Sequence, residues 1–322
     1  MIRIPSAAPP ERRQPTRYRS IPLNVLPAIP QPIQSKLNPP PALRPGEIAK
    51  QLTGRDYLSY SAISTYQRCP LKYLFAYVIG AAPEFKSSSL VFGGAVHAAI
   101  EHHFRHLFEG QPAPQLDALL AEFDRAWKEE VTATIEHGTI KYGESESAET
   151  LRDLAERMLA AFQAHEVSKL DTLTRLIGVE EELRAPLIDG CPDILGRLDL
   201  VTVTPSCSAL QITDFKTARS AWSAAQVEEA APQQLLYAEL AQPLAKSLGC
   251  RAIEICWIVI TKAKQPVVEQ HRLVPEPSQV IRTKAVVRRV WNAIAQEHFY
   301  PSPSAMNCAS CPYQTACRNW EG

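Results

Sequence analysis

The sequence predicts an α/β protein: a mainly helical first half, then β-rich runs alternating with helices. Three features carry that expectation. Apolar and aromatic side chains recur at helical spacing from Tyr57 to Ile79, and again in AVHAAIEHHFRHLF after Gly93 and Gly94. Past Thr174 the texture changes to short β-rich runs separated by Asp-Gly and Pro-Ser turn signals. With 45% apolar residues among 322, the chain can bury a substantial core.

Taken in order, residues 1–54 hold about a dozen prolines and several arginines with no helical or strand period, and predict a disordered arm outside the fold. Its basic cluster, Arg12, Arg13, Arg17 and Arg19, reads first as a solvated linker, with contact to a phosphate backbone as the alternative. Residues 55–322 make the domain. Ser59 and Ser61 are turn or cap residues ahead of the first helix, and further helices are expected near Leu116–Ile135 and Ala148–Leu170. A three-stranded meander follows over Leu176–Ala185, Ile194–Thr204 and Ala209–Phe215. A helix near Val227–Leu248, a strand at Ala252–Thr261, a shorter strand around Val267–Leu273 and a long helix from Ser278 to Glu297 lead into a proline- and cysteine-rich tail.

The 34 basic and 34 acidic residues cancel, so no global positive field advertises a polyanionic partner, and any nucleic-acid role must rest on a local site. No run approaches the ~18 apolar residues of a membrane span, and the N-terminus lacks the apolar stretch of a secretory signal. The expectation is a cytoplasmic protein. In a reducing compartment disulfides are disfavoured, which leaves metal binding or simple burial for the eight cysteines.

Chemistry concentrates in two neighbouring β-rich runs. GRLDLV places Asp199 in one, and QITDFKTA places Asp214 and Lys216 in the next. The two-residue period of a strand puts Asp214 and Lys216 on one face and turns Phe215 toward the core. Two carboxylates beside an ammonium group suit a hard divalent ion, Mg²⁺ or Mn²⁺, and a phosphodiester. Alone, D-x-K is so common that it reads first as an exposed strand with an ordinary cross-charge pattern. His97 and Glu101 lie one helical turn apart on a common face, as do Gln233 and Tyr237, with Gln234 as the alternative register. The bland reading of the latter pair is a polar cap running into a core tyrosine. His102, His103 and His106 read as surface residues.

Cys308, Cys311 and Cys317 form C-x2-C-x5-C near the C-terminus, while Cys69 stands alone upstream. Together they make a candidate tetrathiolate, for which structural zinc is one reading, although zinc sites usually pair two short knuckles. Cys191, Cys207, Cys250 and Cys256 fall in or beside β-rich runs and read as small buried hydrophobes.

These strings, in this order, resemble the PD-(D/E)XK nuclease superfamily in its RecB-like branch. GRLD and DFK are similar to the GxxD and (D/E)xK elements, GGAVHAAIE to G-x-x-x-H-x-x-x-E, and Gln233 to Tyr237 to Q-x-x-x-Y. Residues 59–73, SYSAISTYQRCPLKY, resemble the opening of such domains, and the one-plus-three cysteines resemble those of AddB-type subunits and CRISPR-associated nucleases, which bind a 4Fe–4S cluster. The resemblance implies a restriction-endonuclease-like core, a small mixed central sheet flanked by helices, with helical additions and the cysteine-ligated cluster. It implies that His97, Asp199, Asp214 and the Phe215 carbonyl hold Mg²⁺ or Mn²⁺, that Lys216 assists hydrolysis, and that Gln233 and Tyr237 position the strand. The implied substrate is DNA, single-stranded or with free ends, and the implied activity is an exonuclease in repair, recombination or CRISPR adaptation. No G-x-x-x-x-G-K-[ST] phosphate loop appears, so the chain carries no motor for unwinding duplex and needs a free end or a helicase partner; the resemblance adds a CRISPR adaptation partner as the other candidate. The alternative is a non-catalytic DNA-end-binding subunit of a helicase–nuclease complex.

Overall fold

Why the first helical run breaks where it does is set by Pro70. In the computed structural model, which describes residues 43–169, 174–204 and 208–322, the strand β1 (Tyr57–Ser59) leads into α2 (Tyr60–Arg68), capped by Ser59 accepting from the Ala62 N–H. Proline disfavours helical geometry in the residue before it, and Cys69 is accordingly extended (φ −162°, ψ 106°) between α2 and α3 (Pro70–Tyr73). A π-helical turn, Leu74–Ile79, ends at Gly80.

Arg12, Arg13, Arg17, Arg19 and Cys207 lie outside the described residues. The expected arm stops short of Gly54. Residues Pro45–Thr53 form α1, which starts with proline at a position where its missing N–H costs nothing and ends on Gly54 at φ 73°. Ala49 on α1 is buried in the main core.

After β2 (Phe85–Ser87) comes α4 (Ser88–Phe108), capped by Ser87 and therefore starting ahead of Gly93 and Gly94 rather than after them. Gly93 faces Thr217 of the sheet, where a Cβ would make only an ordinary contact with Oγ1 at 3.5 Å. The helices α5 (Leu116–Ile135) and α6 (Ala148–Ala164) follow, with β3 (Thr139–Lys141) between them pairing parallel to β2.

The meander is β4 (Arg175–Ala185), β5 (Asp193–Val203) and β6 (Ala209–Ala218), antiparallel throughout. Then come α7 (Ala224–Ser247), β7 (Ala252–Thr261), β8 (Val268–Leu273) and α8 (Pro277–Ala295). β7 runs parallel to β6, as the intervening helix requires, and β8 antiparallel to β7. β4 occupies one edge of β5 along nearly its whole length, so β1 (pairing Asp193–Leu195) and β6 (pairing Leu200–Val203) share the other edge. Residues 196–199 are left without a ladder partner on that edge. One face of this mixed sheet packs on α4, α5 and α6, the other on α1, α2, α7 and α8.

The tail ends in two short helices, α9 (Ala305–Ala309) and α10 (Gln314–Arg318). It is tied back to the front of the domain by Tyr66 Oη donating to the His298 carbonyl (2.6 Å) and the Leu71 N–H donating to that of Tyr300 (2.9 Å).

Candidate active site

The gap in the β5 ladder is where the acidic residues gather. Asp199 lies one step beyond the last β5–β6 pair, Leu200 with Thr213, and its Oδ2 accepts the Phe215 N–H at 2.8 Å in place of a backbone carbonyl. That bond fixes the carboxylate next to Asp214. Lys216 donates to Asp214 Oδ1 (2.8 Å) and lies equally near Oδ2, as the shared face of Asp214 and Lys216 predicts. Phe215 turns to the opposite side, 2% exposed and stacked on Phe104 with centroids 5.6 Å apart.

Asp214 is 5% exposed, and its Oδ2 receives no directed hydrogen bond. Burial, then the Asp214 charge, pushes Asp199 up to about 7, against the pull of Lys216 and the Phe215 N–H. Burial lowers the Lys216 ammonium, but Asp214 and Asp199 more than offset it, and the net shift is upward. Lys216 therefore stays protonated at neutral pH.

From α4, His97 brings Nδ1 to 3.6 Å from Asp199 Oδ2, beyond hydrogen-bond distance. Burial and then the Lys216 charge lower its pKa, so the imidazole is neutral at pH 7. Glu101, one turn on, lines the same cavity, of about 10 Å³, with Ile100, Phe104, Glu180, Asp199 and Phe215. That is roughly room for one water-sized occupant. Arg105 holds Glu101 through Nε at 2.7 Å.

Glu180 has no counterpart among the predicted residues. It lies across from Asp199, between the pairs Val179–Leu200 and Glu181–Leu198, and carries φ 55°, a left-handed backbone unusual outside glycine. The strand pair rolls over here: Leu200 belongs to the α4-side core and Leu198, two residues away, to the α7-side core. Burial, then Asp199 and Glu101, raise Glu180 to about 7. The sequence clue is weak: a run of three glutamates, residues 180–182, after the apolar stretch 176–179.

On α7, Gln233 Nε2 donates to Tyr237 Oη at 3.1 Å, while Gln234 is 2% exposed in the core, so the 233 register is the one beside the site. Tyr237 fits only because position 196 is glycine. A Cβ there would lie 2.6 Å from two ring carbons of Tyr237 and 2.9 Å from Leu240. Burial raises the phenol, and Asp214, Lys216 and Asp199 all act on it electrostatically, so Tyr237 faces the acidic cluster.

The cysteines form a second locality. Cys69, Cys311 and Cys317 pack with Leu71, Phe75, Tyr313 and Trp320 in a small separate core. Cys317 is raised by burial and then by Cys69, Cys311 and Cys308, so four thiols with no disulfide among them are neighbours. Cys191 and Cys256 are buried as expected, and Cys250 is half-buried at the core margin. His103 departs from expectation. It is 2% exposed, with Nε2 2.9 Å from the Ser168 carbonyl, because α4 is covered by α6 and the turn after it. His102 and His106 are half-buried neighbours on the outer side of α4.

Among the described residues, no three His, Cys, Asp or Glu side chains are close enough to hold a metal ion as they stand. The donor sets nevertheless fit the implied groups. Two largely buried carboxylates, Asp199 and Asp214, and a neutral imidazole suit a hard divalent ion. Four gathered thiols suit a thiolate-bound centre. Among the described residues, no helix is long and apolar enough to cross a membrane.

No curated protein matches the chain. Among solved structures, one from Eubacterium rectale named "putative exonuclease" superposes with a TM-score of 0.50 at 14% identity, covering 86% of this chain and 91% of that one. At that identity the likeness is one of fold, and it agrees with a restriction-endonuclease-like mixed sheet flanked by helices. The family model for the PD-(D/E)XK nuclease superfamily matches residues 57–318. With the strand-borne Asp199, Asp214 and Lys216 in place, the chain belongs to the PD-(D/E)XK nuclease superfamily.

Proposed function

We propose that residues 55–322 form a RecB-like, metal-dependent DNA exonuclease that hydrolyses phosphodiester bonds on single-stranded or free-ended DNA. The observation that carries this is the Asp199–Asp214–Lys216 cluster, locked by the Phe215 N–H, which gathers two carboxylates and an ammonium group on adjacent strands. Asp199, Asp214, His97 and the Phe215 carbonyl would hold Mg²⁺ or Mn²⁺. When bound, the ion supplies Lewis acidity at the scissile phosphate and lowers the pKa of the attacking water.

The protein's own groups do the rest. Water oxygen bonds to phosphorus as the bond from phosphorus to the leaving sugar oxygen breaks. Lys216, held protonated by Asp214 and Asp199, offsets the charge developing on the phosphoryl oxygens. Gln233 and Tyr237, bonded to each other, contact the DNA backbone beside Lys216 and brace it. Cys69, Cys308, Cys311 and Cys317 would hold a 4Fe–4S cluster that staples the tail to the α2–α3 junction. A helicase or CRISPR adaptation partner would supply the ends, in a cytoplasmic setting.

The test is digestion of end-labelled single- and double-stranded DNA by anaerobically purified protein with Mg²⁺ or Mn²⁺, wild type against Asp214→Ala. Cleavage by wild type alone, reduced about a thousandfold or more in the variant, is expected. A cluster-loaded wild type that cuts neither DNA would overturn the catalytic reading in favour of an end-binding subunit.

A further inference from the structure

Glu180 is costly where it stands. Its side chain is 18% exposed, and it sits against a cavity already lined by Asp199, Glu101 and His97. A left-handed backbone at a non-glycine residue adds strain. With His97 neutral, the cation acting on it among the described residues is Arg197, whose Nε is 3.8 Å away on a side chain 64% exposed. A pair that open and that long does little to offset the burial of a carboxylate. Glu101 is satisfied by Arg105 and Asp214 by Lys216, which leaves the Asp199–Glu180 side of the cavity with more negative charge than its cations balance.

The local backbone is what delivers this side chain to the cavity. A regular ladder would keep Val179 and Glu181 on one face and send Glu180 to the other. Here the face changes at Glu180 and Asp199, and both acids line the cavity beneath His97 on the α4 side. The cavity admits about one ion or water. The 5%-exposed Asp214, held by Lys216, adds its charge to that of Asp199.

We infer that Glu180 is a further ligand of the divalent ion, closing its site from β4 opposite Asp199, directly or through one water. This rests on the nuclease reading above and adds a residue that none of its motifs contains. Glu180 binds at the reacting centre, and the positive φ is the backbone geometry that lets a strand residue reach it.

The experiment is calorimetric titration of Mn²⁺ into cluster-loaded, DNA-free full-length protein, comparing wild type with Glu180→Gln and Asp214→Asn, alongside metal-free melting of Glu180→Gly. Glu180→Gln is expected to weaken Mn²⁺ binding tenfold or more. Glu180→Gly, which removes both the charge and the strain, is expected to melt at or above the wild-type temperature while binding Mn²⁺ poorly. Unchanged Mn²⁺ affinity in Glu180→Gln, with affinity lost in Asp214→Asn, would overturn the assignment and leave the nuclease reading standing. A lower melting temperature for Glu180→Gly together with wild-type Mn²⁺ affinity would make Glu180 structural. If wild type bound no Mn²⁺ at all, the metal-site reading itself would fall.

Discussion

At the carboxylate site the backbone has already done the positioning: Asp199 is fixed by the Phe215 N–H, Asp214 by Lys216, and both by strands buried on two faces. At the C-terminal tail, by contrast, three of the four thiols ride on or between two five-residue helices held by a core of few large side chains. The first site is assembled by the fold and pays for it in buried like charge. The second is gathered by the fold and needs a cross-link to hold it. Ligand removal should therefore act in opposite senses at the two places.

The sharpest way to break that contrast is Cys308→Ser or Cys311→Ser. If the proposed cluster is bound, iron, acid-labile sulfide and brown colour should be lost, and stability should fall by about 2–4 kcal/mol, since such a cluster would close a loop spanning most of the domain. The fall is bounded because Tyr66, Leu71 and Glu84 already bind the tail; the Glu84 carboxylate accepts the Thr315 N–H at 2.8 Å. Mn²⁺ affinity at the carboxylates should survive. Retention of iron and of the melting temperature in either variant would remove the cluster, and with it the comparison.

Gly196→Ala comes next in size, because it tests what lets α7 approach β5. Its Cβ would sit 2.6 Å from the Tyr237 ring, so α7 must move, at a cost of roughly 1–3 kcal/mol. Cleavage should fall with it as Tyr237 leaves the site. Wild-type melting and activity would mean that α7 gives way freely and that Gly196 is not a positioning element.

How legible each region was in the sequence follows from the same contrast. The meander and the shared face of Asp214 and Lys216 could be read because a strand's two-residue period converts spacing directly into a face, whereas singling out these residues with Asp199 rested on the family resemblance. The bounds Leu116–Ile135 and Ala252–Thr261 also stand as read. Glu180 could not be found that way, because a positive φ and a roll of the strand pair reverse the period at that residue. Likewise α1 was hidden by the prolines before it, although Pro45 and Gly54 mark its two ends, and His103 looks like a surface residue until α6 covers it.

A smaller effect separates the sites by pH. Asp199 and Glu180 keep their protons up to about 7 in the folded chain, while unfolded carboxyls release them near the ordinary values of 3.8 and 4.5. Between those limits the folded state binds more protons, so metal-free stability should decline as pH rises from about 4.5 to past 7. Saturating Mn²⁺ should flatten the decline, and Asp199→Asn should remove part of it. Denaturant midpoints at pH 5, 6, 7 and 8 measure the slope, and a metal-free slope of opposite sign would contradict the buried-charge account.

Tyr237→Phe should have the smallest effect and decides whether α7 belongs to the site or only to the core. The substitution deletes the hydroxyl that accepts from Gln233 at 3.1 Å and leaves the ring packed, so stability should change by only about 0.5–1.5 kcal/mol. A core tyrosine would show that change alone. A tyrosine that braces Lys216 and touches the DNA backbone would also raise KM for DNA or lower kcat several-fold, with Mn²⁺ affinity unchanged because no metal ligand is lost. Steady-state cleavage of end-labelled DNA beside calorimetric Mn²⁺ binding separates these outcomes, and wild-type kinetics in Tyr237→Phe would return the Gln233–Tyr237 pair to the core.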